Sequence, residues 1–166
     1  AWDYVVDIAE EAAAKGFKEI QFDYVRFPTD GNMKQINYGA SSNIAKEKAI
    51  SDFLKYARSR LSKMGVVVSA DVFGLVTTVQ DDMNIGQQLE HLSESVDVVC
   101  PMVYPSHYGN GSYGVAVPDY EPYRIVHYSM KTAQQRLKGN DESIAKLRPW
   151  LQDFTASYLP KYKVYG

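Results

Sequence analysis

One cysteine, three histidines and no excess of basic residues leave several chemistries without material. Cys100 stands alone, so these residues hold no internal disulfide and no cysteine-rich zinc site. In its apolar run it reads as a small buried hydrophobe. His91, His107 and His127 show no close ligand spacing, and no metal or other cofactor is expected. Lys and Arg number 18 against 20 Asp and Glu, for a net charge of -2. No basic cluster suited to phosphates stands out, so nucleic acid is not an expected partner. No Gly-rich phosphate loop follows an apparent strand, which argues against nucleotide binding. No apolar stretch approaches the roughly 20 residues needed to span a bilayer. No signal peptide is visible, and the chain opens inside an apparent helix, so a targeting segment is expected to lie outside these residues.

What is present is ample for one folded unit. The 166 residues, 45% hydrophobic and 23% charged, read as a single α/β domain over 1–166 with a sizeable core. Aromatic residues make up 13%, including 13 Tyr and 2 Trp. Their faces suit sugar rings, which present both C–H surfaces and hydroxyls. Core filling explains them equally well from composition alone.

Periodicity predicts alternating helices and strands. Residues 2–15 read as an amphipathic helix with Val5, Ile8, Ala9 and Ala12 on one stripe and Gly16 as its stop. A strand follows at 20–25, then a long polar loop at 28–43. Residues 45–64 form the next helix, with Ile50, Phe53, Leu54, Ala57 and Leu61 on its apolar face and Gly65 as its stop. The run 66–73 is a strand whose continuous β-branched start suggests helices on both faces. A short helix near 85–92, a strand at 96–104, a Gly/Tyr/Pro-rich loop at 105–122, a helix at 123–138 and a strand at 147–154 complete the pattern. The tail, 158–166, shows no periodicity. Such alternation implies right-handed βαβ units and a parallel sheet. Short turns before strands and long loops after them fit a (β/α)8 barrel, but four strands make only part of one. An open α/β sheet is the alternative.

Charge at strand ends is the functional signal. The run Glu19-Ile20-Gln21-Phe22-Asp23-Tyr24-Val25-Arg26-Phe27-Pro28 reads as a buried strand that closes on a carboxylate and a guanidinium. Burying either charge is costly. Charges where a parallel strand meets its following loop mark α/β active sites. Asp23 is thus a candidate catalytic carboxylate, with Arg26 as its expected electrostatic partner. Gln21 shares its face, since alternate side chains point the same way. The second strand similarly offers Ser69 and Asp71, the third Tyr104 followed by Ser106 and His107, and the fourth Gln152 and Asp153. Two carboxylates flanking a bond are the minimum kit for glycoside hydrolysis. The bland readings are a structural Asp23–Arg26 ion pair, Asp71 as a cap or hydrogen-bond hub, and Asp81 and Asp82 as loop solvation. A Ser106–His107 triad is not expected, because adjacent residues seldom reach each other in the required geometry and no Gly-x-Ser-x-Gly elbow is present.

Four ordered blocks carry a family resemblance. They are residues 20–28, Val68-Ser69-Ala70-Asp71-Val72-Phe73-Gly74, Pro101-Met102-Val103-Tyr104-Pro105-Ser106-His107-Tyr108 and Arg148-Pro149-Trp150-Leu151-Gln152-Asp153-Phe154. Together they resemble a bacterial family of glycoside hydrolase-like TIM barrels, DUF4015-like, first described as a domain of unknown function. The resemblance implies a (β/α)8 barrel of which these blocks are roughly the fourth to seventh strands. It implies Asp23 where related retaining hydrolases carry a nucleophilic Asp, and Asp71, Tyr104 and Gln152 at other strand ends of the cleft. The Met102-x-Tyr104 pattern is similar to that of chitinase-like barrels, where Tyr assists at the sugar.

The expected function is a glycoside hydrolase acting on a polysaccharide or cell-wall glycan, extracellular or at the cell envelope. Asp23 would be nucleophile or base, and Asp71 the acid or an orienter of it. Gln21, Arg26, Tyr104, His107, Trp150 and Gln152 would bind sugar. The rivals are a non-catalytic carbohydrate-binding barrel and a structural module. A half barrel exposes two sheet edges, so a partner chain, a swapped homo-oligomer or further polypeptide is expected to complete it.

Overall fold

In the computed structural model, which describes residues 1–39 and 42–165, a parallel sheet carries its helices on one side. Ala40 and Ser41 of the expected long loop, and Gly166 of the tail, lie outside the described residues. The principal elements are α1 (Trp2–Ala14), β1 (Glu19–Phe22), α2 (Lys46–Leu61), β2 (Val67–Phe73), α3 (Leu89–Ser93), β3 (Val98–Val103), α4 (Pro122–Leu137), β4 (Lys146–Leu147) and β5 (Trp150–Leu151).

The strands lie in chain order, β1-β2-β3-β4, all parallel, with β5 also on β3. Parallel neighbours joined in sequence by right-handed crossovers put each helix on the same face. That is half of a (β/α)8 barrel, and it corrects the expectation that β2 is sandwiched between helices. Val68, Ala70 and Val72 face the helices and are fully buried with Leu54, Leu61 and Leu89. The intervening Ser69 and Asp71 face the concave side.

The concave side is strongly curved. Arg148, between β4 and β5, donates to Glu19 on β1, with Nη1 3.0 Å from Oε2. These strands are three spacings apart, about 14 Å in a flat sheet. A direct ion pair across that span requires the sheet to curl toward itself.

Local chemistry sets the element ends. Gly65, at φ 70°, occupies the left-handed conformation that stops the helical segment after α2. The expected first strand, 20–25, ends early at Phe22, because Tyr24 turns the chain with φ 53°. The expected fourth strand is split into β4 and β5. Pro149 has no N–H to donate, although Arg148 N still bonds Val99 O at 3.0 Å.

The stripe expected on α1 is rotated. Val6 and Ala9 are buried, whereas Val5 and Ile8 are exposed. Helix α1 precedes the edge strand β1 and packs against α2, so only the flank turned toward α2 and the sheet is covered. Trp2 lies on that same flank and rests against Phe53 of α2, with ring centroids 5.8 Å apart. Among the described residues no helix is long and apolar enough to cross a membrane.

Candidate active site

Strand alternation stacks polar side chains in layers on the concave face. The lower layer joins Glu19, Ser69, Cys100 and Arg148. Ser69 Oγ donates to Glu19 Oε1 at 2.6 Å, and Arg148 Nη2 lies 3.6 Å from Cys100 Sγ. Arg148 first, and Ser69 second, hold the Glu19 carboxyl below its usual range. Burial pushes the Cys100 thiol up, consistent with the inert buried role read from sequence.

The next layer centres on Asp71, which is 8% exposed. Gln21 Nε2 donates to its Oδ1 at 2.5 Å, and Trp150 Nε1 donates to the same oxygen at 2.8 Å. Burial raises the Asp71 pKa. The Trp150 and Gln21 hydrogen bonds oppose that rise, the charge of Asp23 adds to it, and Arg148 opposes it. Asp71 is therefore a hydrogen-bond hub, one of the two bland readings. The same bonds show that Gln21 and the Trp150 N–H, both expected to bind sugar, are engaged with a carboxyl instead.

Above this layer opens a hollow of about 280 Å³ lined by Asp23, Tyr24, Arg26, Asp71, Phe73, Gln87, Met102, Tyr104 and His107. Both candidate carboxylates thus face one space. A second hollow of about 420 Å³ adjoins it through Phe73, Met102 and His107 and is otherwise largely apolar, with Leu75, Met83 and Ile85. It contains no carboxylate, so both candidate carboxylates belong to the smaller hollow alone.

Asp23 is exposed at the rim, and its Oδ1 accepts the Tyr24 N–H at 2.7 Å. Arg26 is not its ion-pair partner. The guanidinium donates to Phe27 O at 3.2 Å and lies over the Phe73 and Tyr24 rings, 5.1 and 5.6 Å from their centroids. The left-handed turn at Tyr24 takes Arg26 off the strand, which separates two charges that sequence alone places on one element.

Tyr104 and His107 meet edge to face at 5.3 Å, and Phe154 packs on Tyr104 at 5.4 Å. Burial, followed by the charges of Asp71 and Asp23, raises the Tyr104 pKa. The covered side of His107 lowers its pKa although the residue is exposed on its other side. Trp150 keeps 47% of its surface exposed despite its engaged N–H.

Gln152 does not join the hollow. It is buried, its Oε1 accepts the Ser106 N–H at 3.0 Å, and its Nε2 donates to Asp119 Oδ1 and Phe154 O. It ties the loop after β3 to the segment after β5. Asp81 and Asp82 likewise do more than solvate a loop. Their carboxylates accept the N–H groups of Met83, Asn84 and Gly86 and shape the turn. Among the described residues no group of three or more His, Cys, Asp or Glu converges as a metal site.

Sequence reasoning missed Gln87, which is 1% exposed. Its Oε1 accepts the Phe73 N–H at 3.0 Å, while its Nε2 donates to Val25 O at 3.2 Å and Asp71 O at 3.4 Å. It pins the ends of two strands beneath the hollow. Nothing in its own loop signals this. Glu19 and Arg148 were also missed, though extending the alternation below Gln21 and Trp150 reaches them.

The curved parallel sheet and its outer helices define part of a TIM barrel, with a rim hollow that holds two carboxylates. Residues 1–166 match the DUF4015 family, described as "Putative glycosyl hydrolase domain", and the chain belongs to that family. Among solved structures it is similar to the Bacillus megaterium QM B1551 spore cortex-lytic enzyme SleL. The TM-score is 0.54 at 18% identity, over 98% of this chain and 33% of that one. The Bacillus cereus spore cortex-lytic enzyme SleL gives a TM-score of 0.51 at 17% identity, over 92% of this chain and 28% of that one. These likenesses show the barrel fold, of which the chain spans about a third of the first enzyme's length. No curated protein sequence matches.

Proposed function

We propose that this chain supplies paired carboxylates to a glycoside hydrolase acting on a polysaccharide or cell-wall glycan. The carrying observation is that Asp23 and Asp71 line one hollow in unlike surroundings. Asp71 is buried, and burial raises its pKa, the direction a general acid requires. It protonates the glycosidic oxygen as the bond to the anomeric carbon breaks. Asp23, open at the rim, attacks that carbon directly or deprotonates a water that does so. Arg26, Tyr104 and His107 contact sugar hydroxyls and ring faces, and the exposed ring of Trp150 offers a stacking surface.

A polymeric glycan is most accessible at the cell envelope or outside the cell, and we assign the activity there. The family supports the reaction class, and the spore cortex-lytic description of SleL supports a glycan polymer. The hub at Asp71 favours one rival, a carbohydrate-binding barrel without catalysis. Polysaccharide screening of the intact protein with product analysis separates the two. Asp23→Asn and Asp71→Asn should each lower kcat about 10²–10⁴-fold with the fold retained. Glycan binding without product in the unaltered protein, or unchanged turnover in both variants, refutes the catalytic reading.

A further inference from the structure

Two donors from opposite sides reach the same oxygen of Asp71. Gln21 Nε2, on β1, lies 2.5 Å from Oδ1, and Trp150 Nε1, at the start of β5, lies 2.8 Å from it. The backbone beneath is also held, since Gln87 Nε2 reaches the Asp71 carbonyl at 3.4 Å. Oδ2 receives neither donor, and Asp71 borders the hollow. Hydrogen bonds from two N–H groups leave Oδ1 little capacity to carry a proton as well.

We propose that Gln21 and Trp150 are positioning residues that clamp Asp71 by Oδ1 and so assign Oδ2 as the proton-donating atom. The inference rests on the reading of Asp71 as the acid. Before reaction Oδ1 is the carbonyl-type oxygen of a neutral carboxyl and Oδ2 bears the hydrogen. On reaction the Oδ2 proton passes to the glycosidic oxygen, which keeps the electron pair of the bond it loses. The carboxylate left behind is met by donors already in place, so its charge is stabilised without reorganisation. Where Asp23 has attacked directly, the water that displaces it gives its hydroxyl to the anomeric carbon and its proton to Oδ2. Where Asp23 has deprotonated that water, Asp23 returns the proton to solvent and Oδ2 regains one from it. Trp150 consequently acts through Asp71, apart from any contact its exposed ring makes with sugar.

Other charged and titratable groups surround this carboxyl. From β1 and its loop come Glu19, Asp23 and Arg26. From β3 and the segment after it come Cys100, Tyr104 and His107, and from the turn between β4 and β5 comes Arg148. Trp150 and Gln21 are neutral, so replacing them removes a hydrogen bond without altering that set.

The test labels the intact protein with ¹⁵N on tryptophan indoles and ¹³C on Asp carboxyls, and follows both signals from about pH 3 to about pH 8. The Trp150 indole signal, identified by its loss in Trp150→Phe, should move with the Asp71 titration. That movement should vanish in Asp71→Asn. The Asp71 midpoint should rise in Trp150→Phe, because a donor to the charged form has gone. The high-pH limb of kcat/KM should move up with it. Gln21→Met should shift the midpoint in the same direction and provides a second variant should Trp150→Phe fold poorly. An indole signal indifferent to Asp71, or midpoints unchanged in both variants, overturns the clamp. Full turnover in Asp71→Asn beside an intact indole response overturns instead the assignment of Asp71 as acid, so the two failures are distinguishable.

Discussion

Replacing Gln87 by Leu tests whether the hollow is held from below. The side chain is 1% exposed, and Leu is of similar volume, so the change is chiefly the loss of hydrogen bonds. The Phe73 N–H loses its 3.0 Å acceptor, and the carbonyls of Val25 and Asp71 lose donors at 3.2 and 3.4 Å. A buried polar group left unpaired costs about 1–3 kcal/mol. The N–H carries most of this, since the two carbonyl bonds are long, and the sum is about 2–4 kcal/mol. For a domain of this size that lowers Tm by on the order of 10 °C. Urea unfolding gives the free energy, and amide exchange at Phe73 should accelerate more than in the centre of β2. Gln87→Glu sharpens the test. Its carboxylate keeps an acceptor for Phe73 but turns negative oxygen toward two carbonyls. The loss should be large at neutral pH and partly recovered in acid, where a protonated carboxyl donates again. A Leu variant within about 0.5 kcal/mol of the parent, with Phe73 still protected, would refute the reasoning.

Asp71→Asn should stabilise the protein at neutral pH while lowering turnover. The folded Asp71 pKa is raised, so its contribution to stability is full below the unfolded value of about 3.9 and is lost as pH rises through the folded value. The gain in urea unfolding free energy should accordingly shrink in acid, and an equal gain at all pH values would contradict the burial argument. Gly74→Ala should destabilise by about 1–3 kcal/mol, because the added methyl would sit 2.8 Å from the Tyr108 hydroxyl and closer still to the Met102 carbonyl oxygen. A melt unchanged from the parent would show that the ends of β2 and β3 can part at little cost.

Much of the architecture was legible because it rests on local physics. The apolar stripe on α2, the β-branched opening of β2 and the alternation of helix with strand required only side-chain periodicity and burial. The early end of β1 was not legible. It depends on Tyr24 taking a left-handed conformation that Tyr does not favour and that the surrounding packing must support. The rotated stripe on α1 has a similar origin, since an edge helix buries only what its neighbours cover. Strand-end alternation also pointed to Asp23 and Asp71, because a carboxylate among apolar residues is costly wherever the chain places it.

Partner choice was beyond the sequence. Asp23 and Arg26 are three residues apart yet form no ion pair among the described residues, whereas Asp71 and Trp150 are far apart in sequence and share a hydrogen bond. Gln21, Trp150 and Gln152 all carry groups that suit sugar hydroxyls, and folding commits those groups to protein contacts. Periodicity along the chain therefore determined the elements and which side chains share a face. Curvature of the sheet decided which faces meet, because hydrogen bonds depend on separations in space that no spacing in sequence supplies.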